Sequence, residues 1–525
     1  MPHLSFMKKS LLFSFLFVIN VCSSAQVGFG WSYYSIPAYS TFNSAACFQQ
    51  LPNGNFINAG QYGSRGAYYS VDAIGNLQNV KFDSVSGAGV KPVTGLSNSS
   101  MESYFVESIY GTGIDSSRII KFDWNLAIEW SKSFASEVPV DVAVDQNQDV
   151  IMLSDSDKVI LRKFNQYGNL IWSVTNDSAA GSGHILVKQL KVDNTGNIYV
   201  LSMKNVAGDQ EFSIKKFSNA GAFIWETDFN PGAYKDEPND LFIDGNCNLY
   251  VTGSSYVTSN GTQRAYATLK ADSSGSILWS NAYSTYSNVG RKIMADQFGN
   301  AYVAGSRKEN AGQKLLDVIK YDINGDTIWT YSSDTLNLIT QDMFRTVGFF
   351  VDASGNSCVS FQKEIPFYLG DWLFTIAQID PNGNGIESVV QNYGRHWSPY
   401  LFTNSYNQIC VGGDFTPDCG GSCPTSLYIF ALDHITGIQS PSENETALKI
   451  YPNPSNGEFQ LSGNFPSGSR LEVYDLTGRV AADPITIPQG NISMPVQVTL
   501  AQGTYYFSIK TGNQILYEEK LVILK

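Results

Sequence analysis

A ten-residue pattern, Lys-x-Asp-x-x-Gly-x-Ile-x-Trp, recurs about every 50 residues along this chain. Its cleanest copies start at Lys163, Lys216, Lys270 and Lys320 and end at Trp172, Trp225, Trp279 and Trp329. Asn165 and Ser218 stand in for the Asp in two copies, and Leu170, Phe223 and Thr327 stand in for the Ile in three. A fixed period of this length specifies a repeat architecture, in which each unit buries its apolar face only against its neighbours.

Each unit holds a second motif, apolar-Asp-x-x-Gly-Asn-x-Tyr-Val, as in Val192 to Val200, Ile243 to Val251, Ala295 to Val303 and Val351 to Val359. In both motifs Asp opens a turn by accepting from backbone amides, and Gly takes the left-handed position. Alternating apolar residues flank each turn, which is the mark of antiparallel strands. First hairpins are expected to turn near Asn53, Glu107, Gln146, Asn194, Gly245, Gln297, Ala353 and Tyr406. Second hairpins are expected near Ile74, Asp123, Asn165, Ser218, Asp272, Asp322, Asp380 and His434. Two hairpins per unit give four strands, and four-stranded units at this period predict an all-β, eight-bladed β-propeller, with seven blades as the alternative. The last second hairpin, Ala431 to Ile438, stops short of its tryptophan strand, while Gly30-Trp31-Ser32 matches Leu278-Trp279-Ser280. The N-terminal strand is therefore expected to complete the last blade and close the ring.

The pattern resembles the tryptophan-docking motif of quinoprotein dehydrogenases, and the body resembles quinoprotein-like and SBBP-like β-propellers. The copies here are one residue shorter between Asp and Gly, as at Asp272 to Gly275. The resemblance implies the fold and no particular chemistry.

Composition narrows the setting. Charged residues make up 15% of the chain, and the net charge is −13. The 34 Lys and Arg are scattered in ones and twos, so no basic stripe is available for a phosphate backbone and nucleic acid is not an expected partner. Lys8 and Lys9, the apolar run Leu11 to Val21 and Ser23-Ser24-Ala25 read as a signal peptide over residues 1–25, cut before Gln26. Met7 is an alternative start, and Cys22 leaves a lipoprotein as an alternative. No later stretch has 18 consecutive apolar residues, so no transmembrane segment is expected. Cys419 and Cys423 are expected to form a local disulfide, and Cys358 and Cys410 to sit in the core.

Composition shifts after Ile438. Residues 439–447 read as a linker between a propeller over 26–438 and a tail over 448–525. The tail carries Leu448-Lys-Ile-Tyr-Pro452-Asn453-Pro454-Ser-Asn-Gly457, then Leu471 to Arg479 with Gly478, then Leu500 to Tyr506 with Gly503 and Tyr505. Its short alternating strands and Gly turns predict a small Ig-like β-sandwich. The tail resembles the type A sorting domain of the Bacteroidetes type IX secretion system. That resemblance implies export by this machinery to the medium or outer cell surface, with Pro452, Asn453, Pro454, Gly457, Gly478, Gly503 and Tyr505 as the motif. Asp83-Ser84-Val85, Asp177-Ser178-Ala179 and Asp334-Thr335-Leu336 resemble the short O-glycosylation motif of such bacteria.

Catalytic constellations are sparse. Of four histidines, His3 falls in the signal and His434 in a turn, leaving His184 and His396. No nucleophile elbow, zinc helix or phosphate loop is visible, and no cofactor or metal is expected. Asp322-Ile-Asn324-Gly-Asp326 opens like a calcium loop but lacks its sixth-position Gly and twelfth-position Glu. Strand alternation puts both short hairpins of each unit on one face and the variable connections on the other. On that irregular face the expected ligand-binding residues are Tyr368, Asp371, Trp372, Arg395, His396 and Trp397, because aromatic and Arg side chains favour binding sites. Packing between blades is the competing role for Trp372 and Trp397. The expected function is non-catalytic binding of a glycan or protein partner; a hydrolase or lyase and a structural surface-layer component are the alternatives.

Overall fold

The computed structural model describes residues 29–34, 42–73, 76–111, 115–176, 185–206, 209–231, 234–258, 263–283, 287–308, 314–333, 348–364, 372–391, 395–403, 409–416, 426–432, 449–451, 457–474, 479–501, 503–511 and 514–523. These residues are strands and turns without a helix, and the chain divides into two compact units, Met1–Ile438 and Gln439–Lys525.

In the first unit the described strands make eight four-stranded antiparallel sheets. Sheet 1 spans 42–83, sheet 2 spans 89–135, sheet 3 spans 138–176, sheet 4 spans 185–229, sheet 5 spans 236–283, sheet 6 spans 287–332 and sheet 7 spans 348–391. Within each, strands a to d follow in chain order. Sheet 8 takes its strands a to c from 395–432, and its strand d is Phe29–Tyr34. That pairing sets Trp31 opposite Ala431, as Trp279 stands opposite Lys270 in sheet 5. The a strands of successive sheets touch one another, and the a strand of sheet 8 touches that of sheet 1. The ring is thus closed with a strands inside and d strands at the rim. Eight sheets are consistent with the eight-bladed expectation.

The sequence pattern explains the shape. Strands b and c are buried along nearly their whole length, as in Leu249–Tyr256 and Arg264–Ala271, because both their faces meet neighbouring sheets. Strand d alternates, as in Thr327–Ser332, because one face meets solvent. The core is a succession of inter-sheet clusters; Leu201, Phe212 and Ile214 of sheet 4 pack on Leu241, Val251 and Leu269 of sheet 5. Burial of each such side chain is worth about 1.5–3 kcal/mol. Most a strands carry a bulge at one position, including Pro139/Asp141, Val187/Gln189 and Pro238/Asp240. Side chains at those bulges stitch the inner strands together. Asp141 accepts from the Leu190 amide at 2.9 Å, Gln189 from Leu241 at 2.7 Å, and Asp240 from Ile293 at 3.0 Å.

One expected turn is misplaced. Glu107 lies inside strand b of sheet 2, Ser103–Tyr110, and the hairpin turns at Asn98–Glu102. Asn98 replaces the usual Asp, and Met101 holds the left-handed position at φ 63° where Gly is usual, so the motif is hidden. The expected turns near Ile74, Tyr406 and His434 lie outside the described residues.

The second unit is a small sandwich of a three-stranded and a four-stranded sheet. Its core joins Phe459, Leu461, Leu471, Val473, Phe507 and Ile509.

Candidate binding face

The hairpin face consumes its own polar groups. The Asp193 carboxylate accepts from the Thr195 and Asn197 amides, the Asn197 side chain and the Tyr199 hydroxyl, all within the turn. Asp244 and Asp296 repeat the arrangement with Tyr250 and Tyr302. Asp322 accepts from the Asn324 and Asp326 amides, so this carboxylate closes a turn as the failed calcium pattern implies.

The recurrent Trp and Lys form a latch between sheets. The indole N–H of Trp130, Trp172, Trp225 and Trp329 donates to the carbonyl of Gln166, Asn219, Ser273 and Pro381 respectively, each in the second turn of the next sheet. The ammonium of Lys121, Lys216 and Lys320 donates to the carbonyls of Gln166, Ser273 and Pro381. Lys216, Lys270 and Lys320 also stand about 5 Å above the ring centroids of Tyr199, Tyr250 and Tyr302. These lysines are buried, and burial pushes Lys270 below its ordinary pKa.

Toward the irregular face, ionic side chains pair with one another. Arg162 grips Glu137 through two bonds of 2.6 Å and stacks on Phe134. Arg307 pairs with Asp317 at 2.8 Å, and Lys204 with Asp228 at 2.6 Å. Burial opposes ionisation of Glu226, yet Lys215, Lys204 and Ser213 hold its carboxyl below the usual range. Arg264 stacks on Tyr256 and donates to its hydroxyl. Sheets 1 and 2 share a buried quartet of Tyr68, Asp83, Glu107 and Arg118.

Sequence reasoning missed this quartet. Glu107 stands where the sequence predicts a turn, and the bonds that join the four residues span 11, 35 and 39 positions of the chain. No local spacing announces it; strand pairing within sheet 2 sets Glu107 opposite Arg118, and packing of sheet 1 on sheet 2 adds Tyr68 and Asp83.

Of the expected ligand-binding residues, Trp372 opens strand c of sheet 7, Trp372–Ile379, opposite Glu364. Arg395, His396 and Trp397 open strand a of sheet 8, opposite Thr416, Phe415 and Asp414. Both strand starts fall on the irregular face, in neighbouring sheets. Tyr368 and Asp371 lie outside the described residues, as do Cys419, Cys423, Pro452, Asn453, Pro454 and Gly478. Gly457 has φ 103°, and a Cβ there would stand 2.6 Å from the Val498 carbonyl, so the position requires glycine. Gly503 opens a strand opposite Ile523, and the Tyr505 hydroxyl donates to the Ala501 carbonyl. Cys358 and Cys410 are buried in the core as expected, and burial lifts the Cys358 thiol far above its ordinary value. Asp83 of the first O-glycosylation look-alike is engaged by Arg118. Among the described residues no group of three or more His, Cys, Asp or Glu could hold a metal ion.

No curated protein matches the chain. Among solved structures, the Dos1 propeller is similar at TM-score 0.52 and 10% identity, over 77% of this chain and 95% of that one. A protein of unknown function from Bacteroides caccae matches at TM-score 0.31 and 13% identity, over 52% and 89%. The ulvan lyase of polysaccharide lyase family PL25 matches at TM-score 0.40 and 10% identity, over 67% and 95%. At these identities the likeness is one of fold, and only the first bears on it. Residues 449–524 match the secretion system C-terminal sorting domain. The chain therefore couples a β-propeller body to a type IX sorting tail, which directs it to the cell surface or beyond.

Proposed function

We propose that this is a non-catalytic binding protein of a Bacteroidetes-type bacterium, released or displayed outside the cell, that holds a glycan or protein partner on the irregular face of its propeller. In this reading residues 1–25 are a signal peptide, 26–438 the binding body, 439–447 a linker and 448–525 the part read by the type IX machinery. The observation that carries it is the division of labour between faces. The hairpin carboxylates and lysines are spent on turns and latches, and several strong charges toward the irregular face are neutralised in pairs. We assign the ligand to the aromatic and cationic residues that open strands of sheets 7 and 8, Trp372, Arg395, His396 and Trp397, with Tyr368 and Asp371 just before Trp372 in the sequence. Large aromatics beside a guanidinium suit sugar rings and polar protein surfaces.

The test is to incubate purified full-length protein with a panel of bacterial, algal and plant polysaccharides, scoring retention and released products separately. Retention without product is the expected result. Shortened oligosaccharides or unsaturated ends would make the hydrolase or lyase reading the correct one.

A further inference from the structure

Sheets 1 and 2 meet around a carboxyl that the proposed binding role does not use. Glu107, on strand b of sheet 2, has a side chain with 0% exposure. One of its oxygens accepts from the Tyr68 hydroxyl of sheet 1, and the other accepts from Arg118 Nε at 2.5 Å. Arg118 also donates to Asp83, the last residue of strand d of sheet 1. These are the charged or titratable groups that face Glu107: Tyr68 from strand c and Asp83 from strand d of sheet 1, and Arg118 from strand c of sheet 2. Strand a of sheet 2 contributes Val90, and Gly66 of sheet 1 lies close enough that a Cβ there would stand 3.3 Å from Glu107 Oε1. Tyr68 packs against Phe105 and Phe122, so one side of the quartet is an apolar wall.

Two carboxylates thus share a single guanidinium in a sealed interface. With both ionised the site holds one uncompensated negative charge, and burying such a charge is costly. We propose that this quartet is a proton-gated latch between the first two sheets, shut while Glu107 is protonated and loosened toward the irregular face when that proton leaves. Burial is the largest influence on Glu107 and raises its carboxyl to about 7, with Asp83 adding to the effect and Arg118 and Tyr68 opposing it. Burial, then the charge of Glu107, raises Tyr68 well above its ordinary range, so it stays a neutral phenol that can accept from the protonated Glu107 and donate to the ionised one. The sign follows from proton linkage. A carboxyl that binds its proton more tightly when the latch is shut stabilises the shut state at low pH. That contribution declines as pH rises from the ordinary carboxyl range to about 7 and is gone above it.

The Val90 amide reports on the latch, because it donates across the sheet boundary to the Ser64 carbonyl at 2.9 Å. Hydrogen exchange of the Val90 peptide, corrected for intrinsic rates, should be followed on the full chain from pH 5 to pH 9. Protection should fall by about a hundredfold up to about pH 7 and then level off, the order expected for a carboxyl held near 7 instead of its ordinary 4.5. Glu107→Gln keeps the shape without the titration and should flatten the profile. Asp83→Asn leaves Arg118 to Glu107 alone and should move the decline to lower pH. The second variant decides the matter if the first does not fold. A wild-type profile that is flat, or a decline unmoved by either substitution, would overturn the latch.

Discussion

Gly275 answers two constraints at once. Its φ of 87° closes the second turn of sheet 5, and its missing Cβ makes room for Trp225 and Thr227 of sheet 4. Gly168, Gly221, Gly325 and Gly383 meet Trp130, Trp172, Trp279 and Trp329 in the same way. The Gly and the Trp of the repeat are thus two halves of one contact, each supplied by a different unit. Gly275→Ala should cost about 1–3 kcal/mol, because backbone strain adds to a contact of 2.7 Å at Thr227, and chemical denaturation at neutral pH measures it. Where Gly is missing, the strain is already present. Gln148 sits at φ 64° in the first turn of sheet 3, and Gln148→Gly should stabilise the protein by about 0.5–1 kcal/mol in the same assay. Turn chemistry at this scale was legible wherever Asp and Gly were both in place. It failed at Asn98–Glu102, where Asn and Met do the same work and leave no pattern to read.

Among elements, the strand Phe29–Tyr34 decides whether the ring is closed. It pairs with Ser426–Leu432 across some 400 residues of chain, covering an edge that would otherwise be a template for aggregation. Its role was readable because Trp31 repeats a signature that the last unit lacks. The lysine half of that signature is absent from sheet 8, where Ala431 stands opposite Trp31. Cysteines placed at Trp31 and Ala431 should form a disulfide on mild oxidation, since opposed antiparallel residues lie within bridging range. Peptide mapping of the non-reduced protein would find the cross-link. Its absence under conditions that oxidise exposed thiols would place the N-terminal strand elsewhere. Ionic groups were less legible, since a charged residue on a strand gives no sign of which neighbouring sheet supplies its partner. Arg118 and Glu107 show this: their roles depend on Asp83 and Tyr68 of a different unit.

For the whole molecule, the sequence separates two tasks. Periodicity builds the body, and the end of the chain carries the address, matched by the sorting-domain family over 449–524. Removing residues 447–525 should trap the body in the periplasm, where fractionation and blotting would find it; undiminished appearance in the medium would contradict the sorting role. Function is the least legible layer because a propeller's repeats encode packing, whereas a ligand is met by the connections that do not repeat. In the function proposed above, the irregular face binds and the hairpin face only supports it. The most direct measurement compares two double variants with wild type on one polysaccharide array. Arg395→Ala with Trp397→Ala alters the irregular face; Tyr167→Ser with Phe298→Ser alters exposed aromatics of the hairpin face. The first pair should lose at least about tenfold in apparent affinity, the order of one hot-spot side chain, while the second pair should bind like wild type. Loss of binding in the second pair with retention in the first would contradict it.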